Sequence, residues 1–595
     1  MMKLTEVSHL QFEKLVSKHA PPAARHLKHL FDAQLRALKI KSLRTYWHEE
    51  ILNWCAKIFR KDRGAYELMW SGQMLLLPHP DTIRKRCAAH YARPGNDDDR
   101  YETIRSEMAE FSEIDRNVAV KFDEINTRAD LVWKERGGEF ELFGLAEVII
   151  GSRMYGDSTA EPTITDKVST HALAFQVESL TRKYRRICAI FPVSRLDAAG
   201  VNHFWWSVVR RLTHLCSLRV RAAVGDGAGS NRLFFKGNIT DGMLGFGSQN
   251  LVLEGRAWMW NLASPGGKIF VIPNLSHGAK KAINNLEGSH VGRDEKRRLL
   301  LPELLVDAIP SSIPPLFDFL PPTIESGGVG PGEDTRGEEA YLYVMRRIYD
   351  LMNSHQPYVA GEQQREPRLL ELRFLLKWLL AWRKYNDIVD VGHHVSPTER
   401  AKWGLSHQLN FDFECAMEGF IGLINAMVSE YGTGRVAVRG RALNQDTLES
   451  MFSSLRYLCG GGSDPSVYQV MQGVQPAEEQ RRDKQQVTLS RKRKSNSGVN
   501  DCEVPTHRRE DTARYDNEPP QPNEATGPEE GVILWALHEP ADFDLQLQQL
   551  LQPGARPSIA YEVSWGRIRR VQAMGRDYKW PASHDAVALQ QALQP

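Results

Sequence analysis

Apolar positions recur at helical spacing near the start of the chain, at strand spacing in the middle, and at helical spacing again beyond about residue 280. Trp47, Ile51, Leu52, Cys55 and Ile58 predict a helix over Tyr46–Arg60. A short apolar piece, Ala65–Trp70, follows. Leu77-Pro78-His79-Pro80 then breaks the chain, and Asp81 is the expected N-cap of a helix carrying Arg84-Lys85-Arg86. Polar residues 94–100 read as a linker. Strands are predicted over Val118–Asp123, over Phe140–Ile150 after a Gly137-Gly138 turn, over Thr170–Val177 and over Ile187–Phe191. An amphipathic helix over Asp197–Leu215 and a strand over Arg219–Val224 complete that stretch. Further on, helices are expected at Glu339–Ser354, Pro367–Lys384 and Phe411–Tyr431, with a Pro/Gly loop over 318–340. A last helix opens after Asn444 with Leu448, Phe452 and Leu455 on one face. Residues 475–530, rich in Pro, Glu, Arg, Asn and Ser, read as disordered. Trp, Leu and Val return over 531–585.

The 595 residues suggest about four domains. With 42% hydrophobic and 25% charged residues, the composition excludes a mostly disordered chain, a collagen-like chain and a coiled-coil rod. A formal net charge of +2 means that a nucleic-acid partner must be met by a local patch. Residues 1–95 supply one, with 17 Lys and Arg against 8 Asp and Glu. Seven cysteines without a CxxC favour a reducing compartment over a disulfide framework or a Cys-rich zinc module. Met1–Leu10 lacks the apolar core of a secretory signal, and the most apolar run, Phe374–Trp382, is too short to span a membrane.

Three carboxylate contexts stand out. Asp123-Glu124 closes the first strand, where alternation lets only one of the two join a given site; a surface acidic pair is the plain alternative. Asp226 stands in Gly225-Asp226-Gly227-Ala228-Gly229-Ser230-Asn231, either a site open to a metal or phosphate or an ordinary Asx turn. Asp446-x-x-Glu449 fits a capping box, with Glu449 otherwise free to face a site from a helix start. No GxxxxGK[ST] loop exists. Cys87-Ala88-Ala89-His90 is half a zinc spacing without a partner. Arg491-Lys492-Arg493-Lys494 has the character of a nuclear localisation signal.

Read in order, these stretches resemble the P element transposase superfamily, which includes the THAP-type domesticated transposases. The resemblance rests on Leu75–Arg84, Phe122-Asp123-Glu124, Leu173–Leu180 running into Phe191-Pro192, Val224–Ala228 with Asn231, Asn274–Lys280 ending in Asn284-Asn285-Leu286, and Asn444–Phe452 with Arg456. It covers roughly residues 45–475. No C-x2–4-C precedes residue 95 to match the family's zinc domain, and Asn274 stands where the family carries an acid. The resemblance implies an α/β architecture: an RNase H-like catalytic domain interrupted by a large helical insertion, after a helical, helix-turn-helix-like DNA-binding region. The implied boundaries are 1–95 for the DNA-binding region, 96–116 for a linker and 117–274 for the first part of the core. The insertion, GTP-binding in the family, follows at 275–440, and the last core helix at 441–474. A disordered linker over 475–530 and a C-terminal segment over 531–595 end the chain.

Carried over residue by residue, Asp123, Asp226 and Glu449 are the implied catalytic triad and ligands of a two-metal Mg²⁺ site. Asp446 is the implied contact to a guanine nucleotide, and Arg84, Lys85 and Arg86 are the expected DNA contacts. The implied activity is cleavage and strand transfer of transposon-end DNA by a homo-oligomer in the nucleus, with no membrane partner. The alternative is a domesticated, catalytically inactive DNA-binding protein. Mg²⁺ prefers oxygen ligands in near-octahedral geometry, which suits carboxylates brought from separate elements.

Overall fold

The computed structural model describes residues 47–72, 75–88, 93–136, 139–147, 167–239, 256–287, 299–309, 336–359, 367–388, 403–432, 435–459 and 464–479, with residues 29, 30, 32–34, 253, 481, 548, 549 and 560–563. The Arg491–Lys494 run, the expected linker beyond residue 481, most of 531–595, and the side chains of Lys85, Cys87 and His90 lie outside them.

Among the described residues, the N-terminal unit contains three short helices, α1 (Glu49–Lys61), α2 (Arg63–Ser71) and α3 (Pro80–Ala88), with helical residues 29, 30 and 32–34 beside them. The His48 side chain accepts from the Glu50 amide to cap α1, and Asp62 accepts from the Ala65 amide to cap α2. Pro80, not Asp81, opens α3, because its fixed φ and missing N–H suit a first helical position. Ile51, Cys55, Phe59, Leu77 and Ile83 close around Tyr66, whose hydroxyl donates to the Pro78 carbonyl at 2.7 Å.

The linker expected over 96–116 is instead largely a helix, α4 (Asp98–Met108). Its Tyr101, Ile104 and Met108 each remain 1% exposed in the main core, a helical spacing hidden among charged residues.

The strands are β1 (Asn117–Asn126), β2 (Val132–Arg136), β3 (Glu139–Phe143), β4 (His171–Ser179), β5 (Arg185–Val193), β6 (Arg219–Gly225), β7 (Trp258–Trp260) and β8 (Lys268–Val271). Helix α5 (Ala198–His214) lies between β5 and β6, and α6 (Gly229–Ile239) between β6 and β7. Six strands form one mixed sheet in the order β5-β4-β1-β6-β8-β7. β5, β4 and β1 are antiparallel neighbours, β1, β6 and β8 run parallel, and β7 closes the edge antiparallel. Among the described residues β2 and β3 pair only with each other, so the strand expected over 140–150 is the return of a separate ribbon, and its last residues lie outside those described.

Successive residues of β1 enter different cores, as the pleat requires. Val118, Val120 and Phe122 pack under α4, α5 and α6, while Ala119 faces the helical part of the chain. Both faces of the central strands are therefore covered, which is why β4 reads as a near-continuous apolar run.

The expected insertion contains α7 (Leu275–Glu287), β9 (Leu299–Pro302), α8 (Glu303–Asp307), α9 (Arg336–Met352), β10 (Tyr358–Val359), α10 (Pro367–Ile388) and α11 (His407–Tyr431). β11 (Ala437–Val438) pairs with β10 and leads to α12 (Asp446–Leu458). α11 presses directly on β8: a Cβ on Gly419 would stand 2.2 Å from the Val271 carbonyl oxygen. Beyond α12, residues 467–479 form a helix, five residues of which were expected to be disordered. Ala477 is fully buried and Glu478 accepts from the Ile187 amide at 2.7 Å, which holds that end in place. From the C-terminal segment, β12 (Ala560–Val563) adds antiparallel to β9.

Candidate active site

β1 and β6 pair in parallel, with Phe122 opposite Gly225, so Asp123 and Asp226 follow side by side on neighbouring strands. Asp123 does not end its strand; β1 continues to Asn126 against β4. Asp226 leaves β6 into a turn in which its Oδ1 accepts from the Ala228 amide at 3.0 Å and from Asn231 at 2.5 Å. The Asx-turn reading is thus correct, and it leaves Oδ2 directed to the site, 3.8 Å from His277 Nδ1. Gly227 has no room for a side chain, since a Cβ would meet Asp412, Arg232 and Lys281 within 2.7 Å.

Glu449 arrives on α12. Gln445 is the N-cap, so Asp446 is the first helical residue and the capping box does not form. The Asp446 carboxylate accepts instead from Ser276 Oγ at 2.9 Å and from Asn444 at 3.1 Å. The Glu449 carboxylate accepts from Asn274 Nδ2 at 3.3 Å and lies 3.5 Å from His277 Nε2. His277 therefore stands between Asp226 and Glu449, contributed by the first turn of α7.

Asp123 feels the neighbouring carboxylates. Burial, then the charges of Asp226, Glu449 and Glu124, push the Asp123 carboxyl up to about 8. Burial and Asp226 push Glu124 up to about 7, so both members of the acidic pair feel Asp226. Among the described residues, the His, Cys, Asp and Glu side chains whose ligand atoms all lie within 4.8 Å of one another are His29, His48 and Glu50, not the triad. Acidic oxygens held against their own repulsion are a donor set that suits a divalent cation.

A buried polar cluster fixes α12 against the sheet. Lys121 Nζ lies 2.6 Å from Glu178 Oε2 and donates to Thr447 Oγ1 at 3.0 Å. Thr447 donates to Gln176 at 2.7 Å, and Gln445 donates to the Phe122 carbonyl at 2.6 Å. Residues 445–447 are thus tied to β1 and β4 immediately before Glu449.

Some of the surroundings escaped sequence reasoning. Asn274 and His277 lay in a recognised block without an assigned role. Asp412, buried on α11, pairs with Arg232 at 2.6 Å behind Gly227, and the two acids Asp412 and Glu414 within the otherwise apolar run Phe411–Met417 were its signal. Of the expected DNA contacts, Arg84 and Arg86 are engaged within the N-terminal helices. Arg84 is exposed and bonds Asp81 at 2.5 Å, whereas Arg86 is tied to Asn53 at 2.7 Å and to Glu49.

Residues 92–237 match the family model described as TNP-like, RNase H N-terminal domain. Among solved structures, the chain is similar to the Drosophila P element transposase strand transfer complex, with a TM-score of 0.51 and 15% identity over 79% of this chain and 98% of that one. No curated protein matches the chain. The domain match places an RNase H-like α/β domain at residues 92–237, and the solved structure shares its fold with most of this chain.

Proposed function

We propose that this chain is a DNA transposase of the P element type, which cleaves and joins DNA ends with Asp123, Asp226 and Glu449 as metal ligands. The observation that carries this reading is the convergence of three carboxylates, remote in sequence, with Asp123 held up to about 8 partly by the other two. A divalent metal bound there would stabilise charge on the phosphate and lower the pKa of an attacking water or DNA hydroxyl. The chain's own residues do the rest. The Asx turn orients Asp226, Asn274 and His277 hold Glu449 in reach, and the Lys121–Glu178–Thr447 cluster keeps α12 from sliding. DNA ends and target duplex are the partners in this reading, met by a homo-oligomer in the nucleus, to which the Arg491–Lys494 run would direct it.

The helical insertion is given GTP in the same reading, with Asp446 accepting from the purine. The cavity beside Asp446, lined by Ser276, Tyr349, Asn353 and Asn444, measures about 10 Å³, so these side chains must move to admit a base. Calorimetry with GTP on the full chain tests it, and no heat at millimolar nucleotide removes GTP.

Glu449→Gln decides the main reading. It should abolish Mg²⁺-dependent nicking and joining of terminal-repeat DNA, leaving DNA retention and melting near wild type, because a neutral amide is a poor Mg²⁺ ligand. Wild-type cleavage by this variant would take Glu449 out of the site. Wild-type protein that binds DNA and never cleaves it would favour the domesticated, inactive alternative.

A further inference from the structure

Beside the α12 clamp, with Gln176 and Met451 in its wall, lies a cavity of about 300 Å³, at the lower end of small-molecule sites. It opens between the start of β5 and the end of the 467–479 helix, with Phe111, Tyr184, Arg185 and Arg481 among its walls. Its acids are already committed. Glu107 accepts from Arg186 and from the Tyr184 hydroxyl, and Glu478 accepts from the Ile187 amide with Arg186 beside it. Deeper in, Glu178 is held by Lys121 and by Arg439 at 3.6 Å. The guanidinium of Arg185 forms no hydrogen bond or close ion pair among the described residues. Arg481 donates to the Thr447 carbonyl. Burial and the nearby Arg185 lower the Arg481 guanidinium to about 10.

Arg185 and Arg481 repel one another across the cavity, and the acids that offset them, Glu178 for both and Glu478 for Arg481, are already engaged by Lys121, Arg439 and Arg186, so the two half-buried guanidinium groups are costly unless an anion joins them. Arg is suited to a phosphate, which it meets with two parallel N–H donors. Lys183 stands exposed at the rim, and the Phe111 and Tyr184 rings supply apolar wall. We propose that this cavity is a phosphate-binding site, with Arg185 and Arg481 as its cationic arms. The site is separate from the metal ligands and does not depend on their assignment. Its phosphate is either a diester of a DNA strand or the ester of a small molecule such as a mononucleotide.

The test uses the full chain and inorganic phosphate, against chloride at equal ionic strength. Tens of millimolar phosphate should raise the melting temperature of wild type by about 2–4 °C. Arg185→Gln should lose that shift and Arg185→Lys should keep part of it. If Arg185→Gln does not fold, Arg481→Gln answers the same question. A DNA source predicts that Arg185→Gln also lowers the salt slope of duplex binding by about one. A small-molecule source predicts unchanged DNA affinity and a lost melting shift with mononucleotide. Wild type unmoved by phosphate, or variants that respond as wild type does, would overturn the proposal.

Discussion

At Asp123, burial and the charge of Asp226 oppose ionisation, so the metal-free protein holds a proton there that the unfolded chain has released. The stability linked to this carboxyl is fully present below about pH 4 and is lost as pH rises towards about 8. Asp123→Asn removes the conflict. It should melt above wild type by about 2–4 °C at pH 8 without metal, with the gap closing towards pH 4. Added Mg²⁺ should raise wild type at pH 8 and leave Asp123→Asn where it was. Melting curves at the two pH values, with and without Mg²⁺, check both statements, and a variant less stable than wild type at pH 8 would contradict them. At this scale the sequence was informative about residue types and silent about partners. The Asx turn at Asp226 was legible because glycines and an asparagine surround it. The roles of Asn274 and His277 were not, since their importance depends on where α7 begins relative to Glu449, which is a tertiary fact.

Among the elements, α12 is the one whose placement decides the site. Its first turn is fixed by Lys121 and Glu178, side chains 0% and 2% exposed. Burial works against the Glu178 charge, but Lys121 and Arg439 outweigh it and hold the carboxyl below its usual range. Burial lowers Lys121, and Glu178 counters this only in part. Glu178→Gln would leave the ammonium buried beside a neutral amide, at a cost of about 3–5 kcal/mol. Replacing both, as Lys121→Met with Glu178→Leu, should restore most of that stability. Chemical denaturation of the single and double variants measures the difference. Equal losses in both would show that shape rather than charge holds the clamp. Sequence reasoning placed β1, β4, β6 and α12 within a few residues because each carries a strong period. It took α4 for a linker, since Tyr101, Ile104 and Met108 are diluted by Asp97–Arg100 and Glu102. The capping box over 446–449 failed because Ser276, from another element, bonds the Asp446 carboxylate.

Across the whole molecule, charge is unevenly placed. A chain that carries only +2 overall concentrates an excess of about nine positive charges in residues 1–95. The described helices of that region form their own small core, so the unit can present its charges without sharing the RNase H-like core. Arg84 and Arg86 sit on the same helix but do different work. Arg84 is half exposed and, among the described residues, pairs with Asp81 on its own turn, a surface pair that costs little to break. Arg86 is mostly covered and ties α3 to α1 through Asn53 and Glu49. If the unit meets DNA, Arg84→Ala should weaken duplex binding, flatten the log–log salt slope by about 0.9, and leave melting unchanged. Arg86→Ala should lower the stability of the unit first, with DNA binding falling as a consequence. Salt-titrated DNA binding of the full chain, beside melting curves of both variants, separates the two roles. An unchanged salt slope in Arg84→Ala would move the DNA contact off α3, to the remaining basic residues of the unit.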